Sequence, residues 1–361
     1  MRCEIDIELA RLPNILHKDV PNGKDENDNT TLRKWGNIPK FKFKTLGHEQ
    51  IMDRLNLGDA EKAAKISGAR FYFLKNELAM MDFALMIFAI DFYTKKGYEL
   101  LHTPMMMRRE PLEGVLDLAE FESTMYKIED EDLYMIATAE HPIISMHKEE
   151  VFNEKNLPKK YVGWSSCFRK EAGSHGKDTK GIFRTHQFNK VEVVVFSKPE
   201  DSWKIFDQML KDTEELYQKL KIPYRLVNLC SGDLGGKSAR TVDLEAWIPA
   251  QKKYREITSL SNCTDYQARR LRIRYGTEGK KPTGIPHILN NTAIATGRTM
   301  VAILENNQKA DGSIKVPDAL ISFMGGLEKI APHQELIENE EKKTKELKEK
   351  ANKLKEKAKK K

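Results

Sequence analysis

The stretch CFRKEAGSHGKDTKGIFRTHQFNKVE, residues 167–192, decides the reading of this chain. Two runs suited to strands flank a loop rich in Gly, Lys and Asp, the sequence form of a β-hairpin with a long connection. Arg169 and Glu171 stand two apart before the loop. Arg184, His186, Phe188, Lys190 and Glu192 follow it, also two apart. Side chains two apart on a strand share a face. The spacing therefore predicts one face carrying Arg169, Glu171, Arg184, His186, Phe188 and Glu192. That is no core face. Arginine forks suit phosphate, a carboxylate accepts from an amine, and an aromatic ring stacks on a base for about 1–3 kcal/mol. Together they point to a nucleotide beside an amine-bearing substrate.

The phosphate loops of parallel-sheet folds are missing. The Gly236-Lys237-Ser238 sequence lacks the upstream glycine spacing of a Walker loop, and no GxGxxG follows a strand. A nucleotide site here belongs on an antiparallel sheet. The rest of the chain agrees. Residues 76–96 read as a helix in which Leu78, Met81, Leu85, Phe88 and Phe92 form a buried stripe, ended by Gly97. A strand-like YELLHTP stops at Pro104. Further strands are predicted at 125–129, 133–138, 161–171, 181–196, 223–230, 241–248 and 253–260, and helices at 57–67 and 199–220. Residues 290–306 read as a strand end running into a helix. Hairpin-joined strands with helices in separate blocks argue for an α+β domain around an antiparallel sheet. Residues 1–12 read as a helix end broken by Pro13, and the Pro-, Gly-, Asn- and Asp-rich residues 17–29 as an exposed linker.

Composition excludes several classes. The 361 residues are 40% hydrophobic and 32% charged, which suits a globular chain. The longest apolar run is the eight residues from Phe83 to Ile90; a membrane span needs about 20. The N-terminal MRCEIDIELA has no apolar signal core, so a cytoplasmic protein without membrane contact is expected. The four cysteines, Cys3, Cys167, Cys230 and Cys263, form no CxxC pair and read as free structural thiols. The net charge of +7 is uneven: eleven Lys and three Glu between Lys342 and Lys361 give +8, leaving −1 for the rest. Basicity thus argues for nucleic-acid contact in the tail and says little about the body. In that tail Leu347, Ala351, Leu354 and Ala358 fall at the spacing of a thin seam, which reads either as a solvated charged helix or as a basic arm for phosphates.

The motifs carry a resemblance. FRKE at 168–171 with GIFRTHQFNKVE at 181–192 resembles the second signature motif of class II aminoacyl-tRNA synthetases. The 76–96 helix with GYELLHTP at 97–104 resembles motif 1, the dimer motif. LNNTAIATGRTMVAILEN at 289–306 resembles motif 3. Within the class, TAEHP at 138–142, EITSLSNCTDYQARR at 256–270 and LNNTAIATGR resemble the seryl-tRNA synthetases, in a form nearer their archaeal and eukaryotic branch. The similarity runs from about Pro13 to Pro332. It implies a class II synthetase-type antiparallel β-sheet flanked by helices over residues 30–332. Residues 1–29 are then the remnant of an N-terminal helical arm with its linker, and residues 333–361 a basic helical tail. In the family the arm grips tRNA, so tRNA contact by the tail is an expectation of its own.

The resemblance also implies roles. Arg169 holds the α-phosphate of ATP, Glu171 faces the adenine amino group, Phe188 stacks on adenine, and Arg298 covers the ring and γ-phosphate. Thr185, Ile257 and Thr258 join the ATP site. Glu256 and Ser259 bind ATP and hold Mg²⁺. Thr138, Ala139, Glu140, Arg169, Glu192, Asn290 and Thr292 surround L-serine, with Glu192 and Thr292 reading its hydroxyl. Arg169, Arg298 and Glu256 carry catalysis. The activity implied is activation of L-serine to seryl adenylate and its transfer to tRNA(Ser), and to tRNA(Sec) where present, by a homodimer. The alternative is an armless serine-activating enzyme that passes serine to a carrier protein or another non-tRNA acceptor. No cysteine insertion is present for zinc, so no zinc is expected, and His175, His186 and His287 read as structural.

Overall fold

A computed structural model describes residues 12–172 and 180–332, excepting the side chains of Ala119 and Glu120. The expected helix end before residue 12, the loop glycines Gly173 and Gly176, His175, Cys3 and the tail from 333 lie outside the described residues. Eight strands form the main sheet: β1 (Thr30–Trp35), β2 (Glu99–His102), β3 (Lys159–Phe168), β4 (Gln187–Ser197), β5 (Tyr224–Asn228), β6 (Arg240–Ile248), β7 (Lys253–Asn262) and β8 (His287–Ala295). Their order is β1-β5-β6-β7-β8-β4-β3-β2. Every pairing is antiparallel except β2 with β3. The α+β expectation holds.

Helices α1 (Asn76–Thr94), α2 (Glu140–Ser145), α3 (Ser202–Lys219), α4 (Tyr266–Arg270) and α5 (Thr296–Asn306) matter for the site. The stripe read from the sequence is real: Leu78, Met81, Leu85, Phe88 and Phe92 are all buried. They join Val191, Val193 and Val195 of β4, Phe206 and Tyr217 of α3, and Met300, Val301 and Leu304 of α5 in one core. The opposite face of β4 is divided. Val194 and Phe196 pack under Ile143 and Ile144 of α2 and Leu271 after α4 in a second core. Phe188, Lys190 and Glu192 lie further down that face, beyond this cover. An apolar strand face that turns polar halfway along marks where the sheet stops being core.

The spacing misplaced several boundaries. β3 ends at Phe168 and β4 begins at Gln187, so Arg169, Glu171 and residues 181–186 are not strand. Their positions follow loop geometry instead of alternation. The strand expected at 125–129 reduces to one bridge from Lys127 to Tyr134, and that at 133–138 to Tyr134–Met135. Residues 17–29 are largely exposed, yet tied to the sheet edge. His17 N–H donates to Ala239 O at 2.9 Å, Ser231 N–H to Pro21 O at 2.9 Å, and Asn228 Nδ2 to Asp19 O at 2.7 Å.

Candidate active site

The register of β4 and β8 sets Glu192 directly opposite Thr292. Glu192 is 1% exposed, and a charge so buried needs partners. Lys190 Nζ lies 2.5 Å from Glu192 Oε2. Thr292 Oγ1 and Thr138 Oγ1 donate to the same oxygen at 3.3 and 3.4 Å. Burial raises the Glu192 carboxyl above the usual range, against the pull of Lys190. Thr138 reaches this point because the chain turns into α2 two residues later, where Glu140 N–H donates to Thr138 Oγ1 at 3.2 Å.

Glu140, at the start of α2, is the second buried acid. Its Oε1 accepts from Lys237 Nζ and, at 2.9 Å, from Gln267 Nε2. Burial alone raises this carboxyl, but Lys237 and then His141 outweigh it and bring it down to about 2. His141 shows the converse. Burial drives its imidazole down to about 3 in spite of Glu140, so it is neutral at physiological pH.

The third group surrounds the strand ends. The Arg169 guanidinium sits 5.3 Å from the Phe188 ring centre, while Nε and Nη2 donate to Ala137 O at 3.4 and 3.3 Å. Arg184 Nη1 lies 2.8 Å from Glu171 Oε2. Glu171 has φ +50°, a conformation non-glycine residues seldom adopt. Arg298, near the start of α5, pairs with Glu256 of β7 at 2.9 Å. The Glu256 side chain is 46% exposed; neighbouring groups strip some of its water, which works against the carboxylate, yet Arg298, with Arg169 and Arg184 beyond it, holds it below the usual range. Gly297 is needed just before Arg298, since a Cβ there would meet Ile182 O at 2.8 Å. The Arg255 and Arg298 guanidinium groups lie 4.2 and 5.3 Å from the Phe183 ring centre.

These groups share one space. A cavity of about 600 Å³ is lined by Thr138, Glu140, His141, Arg169, Glu171, Arg184, Lys190, Lys237 and Arg298, among others. A narrower cleft adjoins it, lined by Phe188, Thr185, Glu256, Ile257 and Thr292 as well as Arg169, Glu171 and Arg298. Arg169, Glu171, Arg184, Lys190 and Arg298 line both spaces, whereas Phe188 and Glu256 belong to the cleft alone and Glu140 with Lys237 to the cavity alone.

The family pattern for the class II tRNA synthetase core domain (G, H, P, S and T) matches residues 124–307. The serine--tRNA ligase of Nitrosopumilus maritimus is 50% identical over 331 residues, covering 91% of this chain and 79% of that one. The chain belongs to the seryl-tRNA synthetase family. Two solved members have the same fold. The seryl-tRNA synthetase of Pyrococcus horikoshii, complexed with ATP, has a TM-score of 0.89 at 48% identity, covering 92% of this chain and 78% of that one. The cytoplasmic serine-tRNA ligase of Naegleria fowleri, in complex with AMP, has a TM-score of 0.86 at 44% identity, covering 92% and 79%.

Among the residues that the seryl-tRNA synthetase motifs singled out, most converge on the cavity. Five line neither the cavity nor the cleft: Ser259, Glu192, which is sealed at 1% exposure beneath its partners, and three that are spent elsewhere. Thr258 is 2% exposed, and its hydroxyl donates to Thr292 O at 2.5 Å, bracing β7 against β8. Asn290 Nδ2 turns to Cys263 Sγ at 3.4 Å. Ala139 is fully buried at the start of α2. Thr185 donates to Gln187 O at 2.9 Å and still lines the cleft, which strand alternation would forbid. His186 and His287 hold structure: Nδ1 of His186 lies 2.9 Å from Arg169 O, and that of His287 2.8 Å from Ser202 Oγ. Cys167, Cys230 and Cys263 are free and buried.

Four residues were given no role in the sequence: Lys237 and Asp243, outside the quoted motifs, and Phe183 and Gln267, within them. Gln267 lies inside the quoted NCTDYQARR, and Lys237 inside the glycine loop that failed as a Walker loop. Burial, then Glu256, push the Asp243 carboxyl well above the usual range, and its Oδ1 is buried without a partner. Asp243 stands opposite Ser259, and Glu245 opposite Glu256. Among the described residues no three His, Cys, Asp or Glu side chains form a metal cluster by themselves. An orphaned acid oxygen beside Glu256 fits Mg²⁺, which takes one or two carboxylates and completes its shell with phosphate oxygens and water.

Proposed function

We propose that this chain activates L-serine with ATP and transfers it to the 3′ end of tRNA(Ser), and of tRNA(Sec) where present. The observation that carries the reading is the adjoining cleft and cavity: Phe188 and Glu256 lie at the cleft end, Glu140 at the cavity end, and Arg169, Arg184 and Arg298 line both. ATP lies at the first end. Arg169 binds the α-phosphate, Phe188 stacks on adenine with Glu171 at its amino group, and Arg298 meets the γ-phosphate. Serine lies at the second end. Glu140 receives its ammonium, and Glu192 with Thr292 its hydroxyl.

Serine's carboxylate attacks the α-phosphorus and pyrophosphate leaves. No side chain needs to act as nucleophile. Arg169 and Arg298 offset the charge that builds on the phosphates, the main source of rate in such transfers. Glu256, with Asp243 and Ser259 beside it, would hold Mg²⁺, which would supply positive charge against the phosphates. Arg298 exchanges its Glu256 partner for phosphate as ATP enters.

The homodimer reading has its own support. On α1, Met80, Phe83 and Ile87 are 52, 59 and 52% exposed, three and four residues apart, and Leu100 on the edge strand β2 is 49% exposed. Apolar stripes of this kind mark interfaces. Among the described residues no helix is long and apolar enough to cross a membrane, and we propose the cytoplasm, where ATP and tRNA are both supplied, as the place of the reaction. The basic segment 333–361 would add salt-dependent phosphate contacts.

Charging of tRNA(Ser) tests the acceptor. Purified protein is incubated with ATP, serine and either the tRNA or a carrier protein. Acylated tRNA is expected. Serine on the carrier alone would overturn the acceptor assignment while leaving serine activation standing. Deletion of 333–361 is expected to flatten the salt dependence of tRNA binding.

A further inference from the structure

Lys237 lies on the loop joining β5 to β6. Its backbone is pinned: Asn14 Nδ2 donates to Lys237 O at 3.0 Å, Asn14 N–H to Gly236 O at 2.7 Å, and Ser238 N–H to Gly235 O at 2.9 Å. Its ammonium meets Glu140 Oε1, beside the Gln267 amide. Glu140 is 6% exposed at its side chain and Lys237 28%. Both line the large cavity, and among the described residues no donor reaches the second oxygen, Glu140 Oε2.

We propose that Lys237 is a positioning residue for serine: its ammonium keeps Glu140 charged and turned so that Oε2 faces the α-ammonium of the amino acid. This rests on the reading of Glu140 as a serine ligand. A carboxylate this buried loses its charge unless a cation stands beside it. The charged and titratable groups around Glu140 leave no substitute. Lys190 is engaged by Glu192 at 2.5 Å. Arg169 is turned to Ala137 O. His141 is neutral, the Cys263 thiol is pushed up to about 11 by burial, and Glu192 is a second acid that makes ionisation of Glu140 harder. Gln267 donates to the same oxygen without charge. Two donors on Oε1 fix the carboxylate plane, so that the remaining lone pairs point into the cavity.

The test is serine-dependent ATP–pyrophosphate exchange by the full chain from about pH 6 to about pH 8.5, where serine keeps its own ammonium for most of the range. Lys237→Gln keeps a donor and removes the charge. Its KM for serine is expected to rise about 10-fold or more, the worth of a charge-assisted contact. The rise should steepen toward low pH, as an unpaired Glu140 takes up a proton, with KM for ATP and kcat little changed. Lys237→Arg should restore a flat, near-native serine KM. Glu140→Gln is the reference and should raise serine KM at every pH. If Glu140→Gln leaves serine KM unchanged, the serine-ligand reading falls and this inference with it. If Glu140→Gln raises it while Lys237→Gln shows native KM and a flat profile, the inference alone is overturned. A Lys237→Gln variant that melts lower and loses kcat and both KM values together, independent of pH, shows a merely structural loop and also overturns it. Should that variant not fold, Lys237→Arg decides: a serine KM raised as far as in Glu140→Gln contradicts the proposal.

Discussion

Arg298 and Glu256 form an ion pair at 2.9 Å where α5 begins above β7, and Arg298 Nη1 also donates to the Glu256 carbonyl at 3.2 Å. The helix of motif 3 is thus latched to the strand that carries the proposed metal-binding acid. Both partners serve the triphosphate in the proposed reaction, so the pair holds each in place until ATP divides them.

Arg298→Ala is expected to lower kcat/KM for pyrophosphate exchange about 10²–10³-fold, the usual loss for one donor aimed at developing charge. Arg298→Lys should recover little, because an ammonium lacks the planar fork that meets both carboxylate and phosphate. Steady-state exchange with ATP varied checks this, and native activity in Arg298→Ala would remove it from the machinery.

Thr292 and Glu192 together test discrimination. Thr292→Val deletes one hydroxyl that donates to Glu192. The preference for serine over alanine is expected to fall about 10–100-fold, since a contact to a charged group is worth about 1.5–3 kcal/mol. Glu192→Gln goes further and strands the buried Lys190 ammonium, for which about 3–5 kcal/mol of stability should be lost. Competition kinetics with the two amino acids and thermal melts report these separately.

Phe83 tests the assembly. It is 59% exposed in the middle of an apolar helix stripe. Phe83→Glu should shift the protein from dimer to monomer at about micromolar concentration in light scattering, while the fold survives because the side chain contributes nothing to the core. A native protein that is already monomeric under those conditions would contradict the dimer.

His141 predicts a pH dependence of stability. Its folded-state pKa, about 3, lies below the unfolded value of 6.5. The unfolded chain therefore binds the proton more readily, and stability is full above about pH 6.5 and declines as pH falls toward 3. At pH 5 this one group accounts for a loss on the order of 2 kcal/mol. Denaturant melts at pH 7 and pH 5 should show a smaller difference in His141→Gln than in the native chain.

What was legible in the sequence was what depends on local periodicity. The α1 stripe from Leu78 to Phe92 and the alternation of Phe188, Lys190 and Glu192 were readable because both lie inside regular elements. Arg169, Glu171, Arg184 and Thr185 sit beyond strand ends, where a period of two has no meaning; Thr185 and Arg184 line the same cleft. The motifs marked the acids Glu140 and Glu192, but the partners of Glu140 were hidden for a different reason. Lys237 and Gln267 reach Glu140 across 97 and 127 residues. Nothing in the spacing of a glycine-rich loop says which distant acid its lysine will meet. Asp243 needed the β6–β7 register before it could be placed opposite Ser259.

Serine-dependent ATP–pyrophosphate exchange in the presence of Mg²⁺, run against a panel of amino acids, tests the central claim most directly. Exchange that requires serine, is weak with alanine and threonine, and collapses in Arg169→Ala is the predicted result. Absence of exchange with serine, or equal exchange with alanine, would contradict the account.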